Sequence, residues 1–279
     1  MNAEVSDPLD AATIGNGLAA RGESIEVEVL SRCPSTNSEL LIRGSAQTPA
    51  LLIADQQTAG RGRRGRRWHA SPGDALMFSL SWSFAGDAGR LRGLSLAVGV
   101  SIAHTLRELG ASGVALKWPN DLLASMALSK DSDNAKLGGI LIETRTGGGR
   151  ITAVIGVGLN YRRNPALETQ LNRKVAAIED SIDPLPSRNE LAVRVVRGLA
   201  QTLRVFGDAG FEAFRSDWVA LHALEGSPMR VRTSHGRVVA GIAEGIAADG
   251  GLLLRNRRGV HCIHSGTVVR ESPARGADA

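Results

Sequence analysis

The chain has 279 residues, 43% hydrophobic and 22% charged, enough for one sizeable core plus a small appended domain and ordinary for a soluble globular protein. No apolar run approaches the ~18 residues of a membrane span, and residues 1–24 lack the basic start and apolar stretch of a secretion signal, so they read as a loose tail and the location as cytoplasmic. The net charge of +5 comes almost wholly from arginine, the only lysines being Lys117, Lys130, Lys136 and Lys174, while Cys33 and Cys262 offer neither a disulfide framework nor a zinc signature.

Ile25 to Leu30 alternates apolar and acidic residues, the period of a half-buried strand, and Ser35-Thr36-Asn37-Ser38-Glu39 offers a capping box before Leu40-Leu41-Ile42. Ala50 to Ala54 predicts a buried strand, and Ala75 to Phe84, alternating large apolar residues with serines, predicts another. Apolar residues recur at helical spacing from Leu94 to Leu109, with Gly110 at the C-terminal cap. Val114 to Trp118, Leu137 to Thr144 and Ile151 to Leu159 read as strands, the last two joined as a hairpin through Gly147-Gly148-Gly149. Residues 124–135 are polar without a hydrophobic period and predict an exposed excursion. A polar connector follows Asn160, then helices from about Asn189 to Phe206 and from Phe211 to Leu224 that would cover one sheet face. From Pro228 the pattern becomes short strands, Met229 to Thr233, Val238 to Ala247, Leu252 to Arg255 and Val260 to Ile263, predicting a small β-barrel or meander.

Four segments carry chemistry. Gln57-Thr58-Ala59-Gly60-Arg61-Gly62-Arg63-Arg64-Gly65-Arg66-Arg67-Trp68 puts five arginines in seven positions, which repel unless an anion sits among them; its glycines would let backbone amides turn toward that anion. A solvated basic loop or an RGG-like nucleic-acid segment is the competing reading. Lys117-Trp118-Pro119-Asn120-Asp121 presents an ammonium, an amide and a carboxylate at a turn, which a plain turn would also explain. Lys136-Leu137-Gly138-Gly139-Ile140-Leu141-Ile142-Glu143 sets a rare lysine at the mouth of an apolar strand, where most lysines are simply exposed. Ile155-Gly156-Val157-Gly158-Leu159-Asn160 alternates glycines that leave a gap on one strand face, or that merely allow a tight sheet contact.

These segments, with Ser35-Thr36-Asn37 ahead of them, resemble the biotin protein ligases and follow that family's order over residues 25 to 270. The resemblance implies an α+β fold. A mixed-sheet catalytic domain of the biotin/lipoate ligase type, covered by helices, would span residues 25–225, and a small SH3-like β-barrel residues 226–279. It implies activation of biotin by ATP with Mg2+, expelling pyrophosphate, and transfer to a lysine of a biotin carboxyl carrier protein domain of a carboxylase. Ser35, Thr36, Asn37 and Gln57 would hold the biotin end. Gly60, Arg61, Gly62, Arg63 and Arg66 would close over the carboxylate and adenylate, in a loop mobile when empty. Lys136 is the first catalytic candidate, supported by Arg63 and Lys117, and Gly139 would let the ligand approach. Asn120 and Asn160 would contact adenine or ribose, Trp68 would stack on the adenylate, and Asp121 would place magnesium or the incoming amine; no protein metal site is expected.

The stretch ahead of the first strand is far shorter than the helix-turn-helix domain of some relatives, so specific DNA binding is not expected, and a homodimer is left open. The rivals are a lipoate-type ligase and a nucleic-acid-binding protein, the latter disfavoured by only 4% aromatic residues. A metal site at His261-Cys262-His264 conflicts with strand alternation, so those residues read as strand filling.

Overall fold

The computed structural model describes residues 7–43, 48–124, 135–147, 149–171 and 175–269. Its centre is a seven-stranded mixed sheet built from β1 (Glu26–Cys33), β2 (Ala50–Gln57), β3 (Ala75–Ala85), β4 (Val114–Lys117), β5 (Asp121–Ala124), β6 (Ala135–Gly147) and β7 (Arg150–Asn160), in the order β1-β2-β3-β7-β6-β5-β4. Among the described strands only β1 and β2 pair in parallel, with the helix α2 (Thr36–Arg43) between them in sequence. The expected hairpin of β6 and β7 is the long antiparallel ladder in the middle.

Alternation along the central strands sorts the two faces. Leu51, Ile53, Phe78, Leu80, Ala153, Ile155 and Val157 meet the main core under α3 (Leu94–Glu108) and α5 (Arg188–Ala209). Leu52 and Val154 turn to the other face, against Leu40 of α2. That second face is where small and polar residues line up: Met77, Gly158 and Gly139 stand side by side across β3, β7 and β6, then Ser79, Gly156 and Leu141, then Ser81, Val154 and Glu143. The site is built on it.

The expected loose tail is corrected at residues 11–19, which form α1 (Ala11–Ala19) with Asp10 capping Thr13 N at 2.7 Å. Ile14 and Leu18 are fully buried, each burial contributing about 1.5–3 kcal/mol. Gly15 and Gly17 weaken the helical signal in the sequence. Yet a Cβ on Gly17 would come within 2.8 Å of Val193, so that glycine permits close packing on α5. Two further elements were not expected: α4 (Pro165–Leu171), within the connector, and β5, which is only four residues long. The excursion expected at 124–135 lies, apart from its end residues, outside the described residues. The second predicted helix is a 3-10 turn at Phe211–Phe214 running into α6 (Arg215–Leu221).

The closing strands are β8 (Pro228–Thr233), β9 (Val238–Ile246), β10 (Leu252–Asn256), β11 (Gly259–Ile263) and β12 (Gly266–Val269), an antiparallel sheet ordered β11-β10-β9-β8-β12. No pairing of β11 with β12 closes it into a barrel among the described residues. Met229, Val231, Leu252 and Leu254 join the main core, so the two sheets share one apolar interior. No helix among the described residues is long and apolar enough to cross a membrane.

His222 follows α6 at this junction, stacked on Trp218 with ring centroids 4.5 Å apart and its Nδ1 3.0 Å from Glu225 Oε2. Burial pushes its pKa below the ordinary histidine value, and Glu225 only partly opposes this. The unfolded chain therefore takes up a proton before the native one, so His222 costs stability as pH falls through the ordinary histidine range. His222→Phe is expected to lose less of its urea midpoint between pH 7.5 and pH 5 than the wild type; equal losses would remove His222 as the cause.

Candidate functional site

One cavity on the α2 face of the central sheet is lined by every site residue picked out in the sequence except Gly60. At its polar end Ser35, Thr36 and Asn37, at the start of α2, are all at least 97% buried. The Thr36 backbone amide donates to Gln57 Oε1 at 2.9 Å. The Ser79 hydroxyl donates to Asn37 Oδ1 at 2.6 Å and lies 2.7 Å from Thr36 Oγ1. Asn37 Nδ2 donates to Glu143 Oε2 at 3.0 Å and Leu141 O at 3.3 Å, which locks the orientation of its amide. The glycine gap expected on β7 exists and is filled from within: a Cβ on Gly156 would be 2.3 Å from Asn37 Oδ1, and one on Gly158 would be 2.6 Å from Trp68 Cε2.

The cationic end comes from the arginine loop. It is a small hairpin, closed by Trp68 N donating to Gly60 O at 3.0 Å and Gly62 N to Arg66 O at 2.7 Å, with a turn at Arg63–Gly65. The expected role of its glycines is corrected here. The Gly62 amide is spent inside the hairpin, and a Cβ on Gly60 would be 2.6 Å from Trp68 O, so at Gly62 the amide is not turned toward an anion and at Gly60 close backbone approach calls for glycine. Gly60 accordingly stands at the root of the hairpin, beside the cavity.

Three of the five arginines reach separate partners. Arg61 is paired with Glu143 through contacts of 2.9 and 3.1 Å. Arg63 Nη1 lies 3.5 Å from Asn120 Oδ1, and Arg64 donates to Thr267 Oγ1 of β12 at 2.9 Å. Arg63 faces the interior: burial lowers its pKa, neighbouring Arg64 and Arg66 add to that, and Asp121 opposes it. A desolvated guanidinium of this kind gains most from an anion brought into the cavity.

Lys136, at the start of β6, has its Nζ 2.5 Å from Asp121 Oδ1 and 6.0 Å from the Trp68 ring centroid. Asp121 begins β5, directly across from Lys117, so both lysines reach the cavity beside one carboxylate. Asn120 Nδ2 donates to Ile140 O at 2.7 Å, tying the turn to β6. Asn160 Nδ2 donates to Lys136 O at 3.1 Å and Ala176 O at 2.9 Å, which ties the end of β7 to the start of β6. The Trp68 indole N–H is buried and has no acceptor among the described residues.

Two residues of this arrangement escaped the reading of the sequence, Glu143 and Ser79. For Ser79 the legible signal was the alternation of serines with large apolar residues along β3, which marks one strand face as polar. Glu143 gave only a carboxylate in an apolar strand.

Residues 29–160 match the Biotin/lipoate A/B protein ligase family, and residues 226–270 match the Biotin protein ligase C terminal domain. The Bifunctional ligase/repressor BirA of Escherichia coli is 35% identical over 230 residues, 82% of this chain and 68% of that protein. The Biotin--[acetyl-CoA-carboxylase] ligase of Mycobacterium tuberculosis is 31% identical over 270 residues, 94% of this chain and 96% of that one. Among solved structures, the biotin protein ligase from Aquifex aeolicus in complex with biotin and ATP has a TM-score of 0.72 at 24% identity, covering 88% of this chain and 99% of that one, a likeness of fold. With the ligase signature segments gathered on one sheet face and both domains matched in order, the chain belongs to the biotin/lipoate A/B protein ligase family, among its biotin protein ligases.

Proposed function

We propose that the protein activates biotin with ATP to biotinyl-5'-AMP and transfers the biotinyl group to a lysine of a biotin carboxyl carrier protein domain. The observation that carries this reading is the cavity's division into a polar end, with buried Ser35, Thr36 and Asn37 beside Gln57, and a cationic end at Arg63 and Lys136. A neutral head rich in hydrogen-bonding groups suits the first, and the meeting of a carboxylate with an α-phosphate suits the second.

Both substrates are anionic where they react, so the first demand on the site is to offset charge repulsion. Arg63, already desolvated, and Lys136 would do so. They would gain strength as charge builds on the phosphate oxygens, because they are held in place before the reaction begins. Magnesium would shield the remaining phosphates. Asp121 is the one carboxylate lining the cavity among the described residues, which fits an ion held mostly by phosphate and water rather than by a protein cage. Closure of the arginine hairpin over the mixed anhydride would keep water away until the acceptor amine arrives.

The test is pyrophosphate release with ATP and magnesium, supplied with biotin, with lipoate or with no acid. Biotin-dependent release supports the reading. Release with lipoate alone would transfer the chain to the lipoate ligases of the same family.

Trp68 is the proposed stacking partner of the adenine. Gly158→Ala should expel its indole from the sheet, and since stacking a base on an aromatic ring contributes about 1–3 kcal/mol, ATP affinity should fall roughly tenfold with biotin affinity little changed. Equal ATP affinity in calorimetry would remove Trp68 from the nucleotide subsite.

A further inference from the structure

The closing strands contain one side-chain cluster that ligation does not use, and it is a rearranged form of the His261-Cys262-His264 motif. His261 turns away, its Nε2 lying 3.1 Å from Asn256 Oδ1, as strand alternation requires. Asp249, from the turn before β10, takes its place beside Cys262 and His264, and the three donor atoms lie within 4.8 Å of one another. Cys262 Sγ is 3.7 Å from His264 Nε2, and the same nitrogen is 2.7 Å from Asp249 Oδ2. Because both contacts fall on one ring nitrogen, the imidazole cannot relay a proton between thiol and carboxylate, which rules out a nucleophilic triad in this arrangement. Chelation needs no such relay.

A second observation concerns Gly251. Its backbone is not in the left-handed region, so its conformation does not call for glycine. A Cβ there would lie 2.4 Å from Cys262 Sγ and 3.0 Å from His264 Nε2. The absent side chain is what allows thiol and imidazole to converge.

We propose that Asp249, Cys262 and His264 form a binding site for a divalent cation of the zinc class, with one coordination position left to solvent. Thiolate and imidazole donors select such an ion over magnesium or calcium. Zinc bond lengths near 2.0–2.3 Å set tetrahedral donors about 3.3–3.8 Å apart. The sulfur–nitrogen separation already meets this, and the hydrogen-bonded Asp249–His264 pair must open by about 0.5–1 Å. Both side chains are solvent-accessible enough to move. Arg92, whose Nη1 is 3.5 Å from Asp249 Oδ2, would be displaced, at little cost for a cation 67% exposed. The site lies on the seam between the two sheets, where Trp118 Nε1 donates to Gly250 O at 3.3 Å.

Titration of the tag-free, nucleotide-free protein with Co2+ under a phosphine reductant reads the site directly, through thiolate-to-cobalt charge-transfer absorption that Zn2+ then abolishes. Cys33 is buried with its thiol pushed up to about 11, so it is a poor rival source of the signal. The absorption is expected to saturate near one equivalent and to vanish in Cys262→Ser. Losing an outer partner of a metal ligand already costs about 10–100-fold in affinity, so His264→Ala and Asp249→Asn should weaken binding at least tenfold. Gly251→Ala should do the same without touching a donor, and metal-free thermal midpoints would show that each variant folds. No charge-transfer absorption, absorption that survives Cys262→Ser, or affinity indifferent to His264→Ala and Asp249→Asn would each overturn the proposal.

Discussion

Lys136→Ala is expected to lower kcat for biotin-dependent pyrophosphate release by about 10²–10³-fold, the usual cost of removing one preorganised group that stabilises transition-state charge. The fold should survive, because what Lys136 gives the architecture is its carbonyl, which accepts from Ala176 N at 3.0 Å and Asn160 Nδ2 at 3.1 Å and is kept by alanine. One complication is built into the site. Removing the ammonium leaves Asp121 without its 2.5 Å partner, and a bare carboxylate would itself repel the substrates. Lys136→Ala/Asp121→Asn separates the two effects. If the lysine acts on the reacting oxygens, the double variant stays as slow as the single one. Recovery to within about tenfold of wild type would reduce Lys136 to a counter-ion.

The second large effect is on stability. Arg188, at the start of α5, is fully buried, yet it carries a charge. Its guanidinium donates to Asp55 Oδ1 at 2.5 Å and to Asp7 O at 2.5 and 3.1 Å, and its backbone amide donates to Asp7 Oδ2 at 2.6 Å. Asp7 also accepts from the Tyr161 hydroxyl at 3.0 Å. The network therefore joins the segment before α1, the end of β2, the end of β7 and the longest helix. Arg188→Ala would strand two carboxylates around a hollow, and breaking a buried ion pair from one side typically costs about 3–5 kcal/mol. Against a total stability of about 5–15 kcal/mol, that is a large fraction, so urea unfolding should show a markedly lower midpoint. Replacing both charges, as in Arg188→Met/Asp55→Asn, should recover part of the loss. Arg188→Met alone, which fills the hollow but leaves the carboxylates unpaired, should recover less than the pair; equal recovery by the single variant would mean the cost came from the hollow rather than from unpaired charge.

Much of this protein was legible from local pattern. Period-two alternation marked β1 and β3, apolar runs around a glycine turn marked β6 and β7, helical spacing marked α3 and α5, and the arginine loop, Lys117 to Asp121, Lys136 and the alternating glycines stood out as unusual residue types in unusual places. Chain order alone then carried the family resemblance. Local pattern does not give register or partner, however, because it is blind to residues distant in sequence. Glu143 reads as one more acidic residue until β6 is set beside β7 and α2, which brings it to Arg61 and Asn37 across 82 and 106 positions.

The same limit explains the remaining corrections. α1 is short and glycine-rich, and it holds because α5, more than 170 positions later, offers an apolar groove that Gly17 lets it enter. The loop glycines read as an anion nest, but Gly60 is required by its close approach to Trp68 O, and the Gly62 amide donates to Arg66 O inside the hairpin. His261-Cys262-His264 reads as strand filling because neighbouring side chains alternate, and His261 does turn to Asn256, yet the Asp249 turn brings a third donor beside Cys262 and His264 from outside the strand. The sequence by itself determined which residue types were available, in what order, and on which face of each strand or helix they would fall. Tertiary structure alone decided which of them meet, because register and packing bring together charges and gaps that no local period connects.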